Sequence, residues 1–180
     1  AGEPLVPHTF TLPSTPPPGY VDLAVTHCGI CHSDLHQIDN AWGVACFPLV
    51  AGHEIVGTIT AIGDAPATNK FKVGDRAAIG VQRSRCRSCA ECSAGLENVC
   101  RRITKTYAGA RTPDRQSATL VGSTLRPAAG PGKDKGGFAR FIRYPAAWVF
   151  AAPGELPSEV VGPLMCAGIT TYSPLKRFAR

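Results

Sequence analysis

Four cysteines, Cys86, Cys89, Cys92 and Cys100, fall within fifteen residues, and this spacing restricts the fold more than any other feature of the chain. Side chains so placed converge on one point only if the backbone wraps around it in tight turns. Disulfides between cysteines three positions apart strain the intervening chain, because their Cα atoms must lie about 4.4–6.8 Å apart with the side chains correctly aimed. Four thiolates suit a soft d10 cation at tetrahedral geometry, with bonds near ~2.3 Å. The small residues Ser88, Ser93, Ala94 and Gly95 let backbone N–H groups approach the sulfurs, and Ser93–Asn98 reads as a short helical turn before the last ligand. A structural zinc is the favoured reading, ahead of an iron–sulfur cluster, disulfides or free thiols. Four protein ligands leave no opening, so this site staples a lobe at about residues 84–102 and does not catalyse.

A formal charge of +6 raises the question of nucleic acid. The basic residues are scattered except for Arg76, Arg83, Arg85, Arg87, Arg101, Arg102 and Lys105, which bracket the cysteine stretch. Four thiolates around one zinc carry about −2, so a charge-balancing, solvated rim is the better reading and nucleic-acid binding is not expected. No stretch reads as a membrane span, and the N-terminal residues show no basic-then-apolar secretory pattern. Reduced-thiol chemistry favours a cytoplasmic setting.

Cys28 and Cys31 form a C-x-x-C, which invites a thioredoxin-like redox reading. The parallel strand and crossover that such a motif needs are missing around it. Alternatively, Cys31 joins His53 and Cys166, giving two thiolates and one imidazole from three separate segments. Three ligands and an exchangeable fourth position are the pattern of a catalytic zinc. The wide separation leaves open, on spacing alone, whether the three side chains meet.

The stretches CGICHSDLH, PLVAGHEIVG, FKVGDRAAIG, the four-cysteine lobe and PLMCAGITTYSPLKRF together resemble the zinc-dependent medium-chain alcohol dehydrogenases, in particular the cinnamyl-alcohol-dehydrogenase branch. Zinc held by two cysteines and a histidine is already known from alcohol dehydrogenases. The resemblance implies that Cys31, His53 and Cys166 hold the catalytic zinc, with Glu54 beside it as a transient ligand. It makes Cys86, Cys89, Cys92 and Cys100 the structural zinc ligands, and so implies two zinc ions per chain. Asp34 resembles the carboxylate that orients a metal-bound imidazole; a charge at a helix start is its plainer role. Ser33 resembles the hydroxyl nearest the substrate oxygen, although a serine there is by default an N-cap. His36 resembles the solvent end of the proton relay, and His32 the residue that reaches the cofactor pyrophosphate. The implied chemistry is reversible alcohol–aldehyde interconversion with NADP or NAD on a small, primary, aromatic or long-chain substrate. A non-catalytic zinc-binding interaction module is the alternative. Trp42, between the two zinc-site segments, lines a pocket or serves as a core or lid aromatic.

Short apolar runs bounded by Gly, Pro and Asp, such as YVDLAVTHC, HEIVGTITAIG and KVGDRAAIG, argue for a mostly β, partly open barrel with a few short helices. The family's GroES-like domain is such a fold, expected over residues 1–155. Residues 156–180 read as a helix, the Cys166 turn and a second helix. Gly74-Asp75 reads as a hairpin tip, and residues 111–135 as a long surface loop. A nucleotide-binding Rossmann domain is expected to follow and is absent from this chain. The glycine-rich GPGKDKGG at 130–137 fails both phosphate-binding templates and reads as a loop. The isolated piece is expected to be inactive, and to be a truncated product or to self-associate through its terminal helices; a homodimer is expected of the full-length form.

Overall fold

The computed structural model describes residues 4–43, 45–107 and 135–179. Five antiparallel strands form one curled sheet: β1 (Tyr20–Gly29), β2 (Glu54–Ile62), β3 (Arg76–Ile79), β6 (Phe141–Pro145) and β7 (Val149–Ala151), in the order β6-β1-β2-β3-β7. Two short strands, β4 (Gln82–Ser84) and β5 (Thr104–Lys105), pair at the base of the cysteine lobe. The expected half-open barrel is therefore present. Register shifts between Asp22 and Leu23 and between Val25 and His27 interrupt the long β1–β2 ladder; such bulges bend a strand and increase its twist.

The core explains which residues form these strands. Val21, Leu23, Ile55, Ile59, Ala77, Ile79, Ile142, Tyr144 and Val149 pack together inside the curl. Each such aliphatic side chain contributes roughly 1.5–3 kcal/mol by leaving water. The β2 sequence is apolar on both faces because Val56 points the other way, onto Ala78 and Val161 of helix α3 (Ser158–Pro163). On the sheet edge, Arg143 of β6 forks onto both carboxylate oxygens of Asp22 in β1, at 2.7 and 2.8 Å, across paired positions.

Helix α1 (His32–Ile38) follows β1 after Ile30 and Cys31; Cys31, not Ser33, is its N-cap, and Ser33 lies in the first turn. Within the lobe, α2 is a single turn at Ala90–Ser93, followed by a 3₁₀ turn at Glu97–Val99. The helical residues thus flank Ala94–Leu96 instead of filling Ser93–Asn98. The segment carrying Cys166 is arranged as expected: α3, a wide π-type turn at Leu164–Gly168, then α4 (Ile169–Phe178). Pro163, without an N–H to continue the ladder, closes α3. No helix among the described residues is long and apolar enough to cross a membrane.

Two expectations are refined. Gly74 (φ +95°) and Asp75 do not form the tip of a two-residue hairpin. They end a longer connection by exchanging backbone bonds with Ile59, with Gly74 N–H donating to Ile59 O (2.8 Å) and Ile59 N–H to Asp75 O (2.9 Å). The loop expected over 111–135 lies outside the described residues, apart from Lys135. Of the glycine-rich stretch, Gly136 and Gly137 donate to the carbonyls of Val50 and Gly52 at 2.8 and 2.9 Å. A Cβ at Gly137 would overlap the Ile55 side chain, so close packing explains its glycine.

Candidate metal centres and active site

The lobe brings its four sulfurs together. The Sγ atoms of Cys86 and Cys92 lie 3.8 Å apart, as do those of Cys89 and Cys100, and all four ligand atoms fall within 4.8 Å of one another. These are free thiols. Backbone N–H groups of Ser88 and Cys86 reach the sulfurs of Cys86 and Cys100, both at 3.4 Å. The Ser88 N–H, helped by neighbouring side chains, pulls the Cys86 thiol down to about 5. Cys89 goes the other way: the Cys92 N–H lowers it, but desolvation and the Cys86 and Cys92 side chains outweigh that and carry it to about 12. One thiolate thus suppresses the next. A bound dication removes that conflict, which is why this donor set fits zinc. Of the basic rim, Arg85 pairs with Glu97, Arg101 with Glu91 (3.4 Å), and Arg102 donates to Ser88 Oγ (2.7 Å).

A second cluster forms where three elements meet. Cys31 ends the β1–α1 turn, Glu54 opens β2 with His53 immediately before it, and Cys166 sits in the wide turn after α3. The Cys31 and Cys166 sulfurs are 3.9 Å apart, and one ligand atom from each of the four residues lies within 4.8 Å of the others. Glycines permit this convergence. A methyl on Gly29 would overlap Glu54 Oε2, and one on Gly162 would stand 3.1 Å from the Glu54 carbonyl, so α3 rides directly over the start of β2.

Asp34 organises the cluster. Buried in the first turn of α1, it accepts from Cys31 N–H at Oδ2 (3.0 Å) and from Gly52 N–H (2.8 Å) and His53 Nδ1 (3.0 Å) at Oδ1. Gly52 supplies its N–H from a left-handed conformation (φ +99°), where a Cβ would crowd Phe138 N. Burial works to raise the Asp34 carboxyl, but the bonds from His53, Cys31 and Gly52 outweigh it and hold the group below its ordinary value. With Nδ1–H turned to Asp34, His53 Nε2 is left as a bare lone pair. That atom is buried and has no hydrogen-bond partner among the described residues. An orphaned imidazole nitrogen beside two sulfurs and a carboxylate fits a zinc site. Burial first, and then Cys31, Glu54 and Asp34, push the Cys166 thiol to about 12.

Around this cluster, His32 and His36 stack edge to face at 4.7 Å, and His36 lies 5.0 Å from the half-exposed Trp42, whose face carries Lys105 Nζ at 5.0 Å. Ser33 sits in the first turn of α1, two residues after Cys31. Cys28 does not join the metal cluster; it packs on the sheet core, and burial pushes its thiol to about 12. The antiparallel setting of β1 supplies no thioredoxin-like crossover.

Two neighbours carry no signal that the sequence reading used. Gln37, one helical turn after Ser33, is buried with neither amide atom partnered among the described residues; its i+4 offset is the one sequence hint. Tyr107 is 1% exposed, with its ring centroid 4.7 Å from that of His53. Burial, then the charges of Asp34, Cys166 and Cys31, push its phenol above the ordinary value, against a lowering hydrogen bond with the Ser33 side chain.

A curled antiparallel sheet with a four-cysteine lobe at one side and a Cys-His-Cys cluster at its helical edge defines the class: a GroES-like domain with two candidate metal centres. The alcohol dehydrogenase GroES-like domain matches residues 17–154, and the chain belongs to that family. It is 43% identical over 158 residues to a probable mannitol dehydrogenase from Fragaria ananassa, and 42% identical to cinnamyl alcohol dehydrogenase 2 from Rauvolfia serpentina. Each alignment covers 88% of this chain and 39% of the relative. Among solved structures, a cinnamyl alcohol dehydrogenase from Sorghum bicolor superposes with a TM-score of 0.77 at 36% identity, over 97% of this chain and 44% of that one. The Helicobacter pylori enzyme of the same type, complexed with NADP(H), gives 0.72 at 32% identity, over 89% and 42%. The chain thus spans about two fifths of the length of these relatives.

Proposed function

We propose that this chain is the catalytic domain of a zinc-dependent alcohol dehydrogenase or aldehyde reductase. The reaction is hydride transfer between a primary alcohol or its aldehyde, aromatic or long-chain, and NADP(H). Residues 1–155 form the catalytic domain, and 156–180 bring Cys166 to it. The nicotinamide nucleotide belongs to the part of the protein that aligns with the rest of the relatives' length, so the piece alone is inactive and the working form is the full chain, as a homodimer in the cytoplasm.

The observation that carries this reading is the buried Nε2 of His53, without a hydrogen-bond partner among the described residues, in a residue whose ligand atom lies within 4.8 Å of those of Cys31, Glu54 and Cys166. A zinc ion there supplies Lewis acidity toward the oxygen of an alcohol or aldehyde. The chain's own residues do the rest. Asp34 holds His53 in the tautomer that offers Nε2 and fixes the ring by its 3.0 Å bond. The same carboxylate caps α1 through Cys31 N–H, so the loop that presents Cys31 and the ring of His53 are set by one group. Ser33 accepts or returns the hydroxyl proton of the substrate, and His36, half-buried against His32 and Trp42, is the solvent end of its path. His32 reaches the nucleotide's pyrophosphate. Glu54 waits beside the cluster as an exchangeable carboxylate. The four-cysteine lobe holds the second zinc and acts on stability alone.

The test uses the full-length protein with NADPH and an aromatic aldehyde, followed by loss of nicotinamide absorbance. Turnover is expected in the unmodified protein, to be abolished by Cys166→Ser and His53→Ala, and to survive Cys89→Ser at reduced stability. A Cys166→Ser variant at full rate would refute the three-ligand site. No turnover with any aldehyde, in a protein that carries its zinc, would favour the interaction-module reading.

A further inference from the structure

We propose that Lys105 is a specificity-determining residue, its ammonium, held on the face of Trp42 beside the Cys31–His53–Cys166 cluster, receiving a carboxylate at the far end of the substrate. The inference rests on the dehydrogenase reading above and deepens it, naming aldehydes that carry a carboxylate, and the matching alcohols, as the substrate class.

Two separate runs of chain lead from the cluster to this ammonium. Along α1, Cys31 is the N-cap, His32 opens the helix, and His36 meets His32 edge to face at 4.7 Å. The His36 ring lies in turn 5.0 Å from that of Trp42. The second run is the end of β5. Tyr107 sets its ring 4.7 Å from that of His53, and Lys105 precedes it by two residues, which keeps their Cα atoms within about 7.6 Å of each other. Thr106 between them is buried, with its hydroxyl bonded to Gly80 O and to the Tyr144 hydroxyl, so the stretch is pinned to the sheet core. The two runs meet where Lys105 Nζ stands 5.0 Å from the centroid of the Trp42 ring.

The chemistry of that corner selects an anion. Lys105 is half-buried, and among the described residues its ammonium meets a ring face and no oxygen acceptor. The other cations drawn into this fold are supplied with oxygen: Lys70 donates to Val149 O at 3.0 Å, Lys135 to Pro48 O at 3.1 Å, and Arg143 holds Asp22. For Lys105 burial acts unopposed and lowers its pKa from the ordinary lysine value. An aromatic face attracts the charge and takes up none of the N–H donors on the open side. Trp42, His36 and His32 bring no negative charge of their own. A carboxylate satisfies both the charge and the free donors, and Trp42 shields the bond from water on one side. Resting on the ring also orders the lysine before the substrate arrives, which removes part of the entropic cost of binding. A substrate with its reacting carbonyl at the cluster and an acid group on its far end fits both features at once; a neutral one leaves the ammonium as it is.

The test compares acids with their neutral amides in the full-length zinc protein: 3- and 4-carboxybenzaldehyde against 3- and 4-formylbenzamide, and a straight-chain aldehyde acid against its amide, each with NADPH. The ratio of kcat/KM for an acid over its amide cancels any difference in the amount of active protein. It should be about 10 or more for the best pair, the size of one charge-assisted hydrogen bond at a half-exposed site, and should fall as salt is added. Lys105→Met should bring the ratio to about 1, and Lys105→Arg, which keeps the charge, should retain most of it. A ratio near 1 for every pair in the unmodified protein, or a ratio that survives Lys105→Met, would overturn the proposal while leaving an active dehydrogenase. A raised KM for NADPH in Lys105→Met, with the acid-to-amide ratio unmoved, would overturn it too and assign the ammonium to a nucleotide phosphate. An unmodified protein that turns over none of these aldehydes would refute the dehydrogenase reading, and the proposal with it.

Discussion

Asp34→Asn is the sharpest small perturbation of the catalytic cluster, because it preserves shape and removes only charge and one acceptor. Among the described residues the carboxylate accepts from three donors: Cys31 N–H, Gly52 N–H and His53 Nδ1–H, all within 3.0 Å. An asparagine can turn its oxygen toward Gly52 and His53, but its NH₂ then meets Cys31 N–H, donor against donor. Turned the other way, it keeps Cys31 and confronts two donors. At least one bond to a charged acceptor is lost, about 1.5–3 kcal/mol, and a buried N–H is left without a partner, about 1–3 kcal/mol if it stays dry. Since α1 can shift slightly to wet Cys31 N–H, the expected destabilisation is about 2–4 kcal/mol. The bond that remains to His53 is neutral, so the imidazole is a poorer ligand, and affinity for the cluster's zinc should fall about 10- to 100-fold. Chelator competition on the full-length protein measures the second effect and denaturant unfolding the first. The lobe's zinc, which Asp34 does not touch, should be retained. An Asp34→Asn protein with unchanged stability and zinc affinity within about threefold of the original would refute the role assigned to this carboxylate.

The same residue sets an acid response. Its carboxyl is held below the ordinary 3.8, so the stability it contributes is complete above about pH 4 and lost as the pH falls through the folded-state value; the acid limb of the unfolding profile should be shallower in Asp34→Asn. Gly29→Ala places a methyl against Glu54 Oε2, so Glu54 must withdraw, and the cluster's metal-exchange rate should change while the lobe's does not; equal exchange in both proteins would remove Glu54 from the account. In metal-free protein at pH 7, iodoacetamide should label Cys86, drawn down to about 5, well before the half-buried Cys28, pushed up to about 12. Mass spectrometry reads the order, and Cys28 labelling first would contradict it.

The cysteine lobe was legible because its constraint is local: short spacings and small intervening residues leave the chain few ways to arrange four thiols. The strands were legible for the same reason, each apolar run being bounded by its own turn residues. The open cluster was different in kind. No spacing relates Cys31 to His53 or to Cys166, and only the family resemblance joined them. Convergence depends on Gly29 and Gly162, which let α3 and Glu54 approach, and such glycines look like any others in a sequence. Tyr107 and Gln37 escaped notice because their significance lies in what surrounds them: an imidazole face in one case, unpartnered amide atoms in the other. The hairpin reading of Gly74-Asp75 failed because the left-handed glycine that favours a two-residue turn serves equally well to end a longer connection on β2.

Metal stoichiometry tests the central claim most directly. Elemental analysis of the full-length protein should give two zinc ions per chain, falling to one in His53→Ala and in Cys166→Ser, with the folded sheet intact in both. A single zinc in the unmodified chain, or two retained in either variant, would contradict a site built on Cys31, His53 and Cys166.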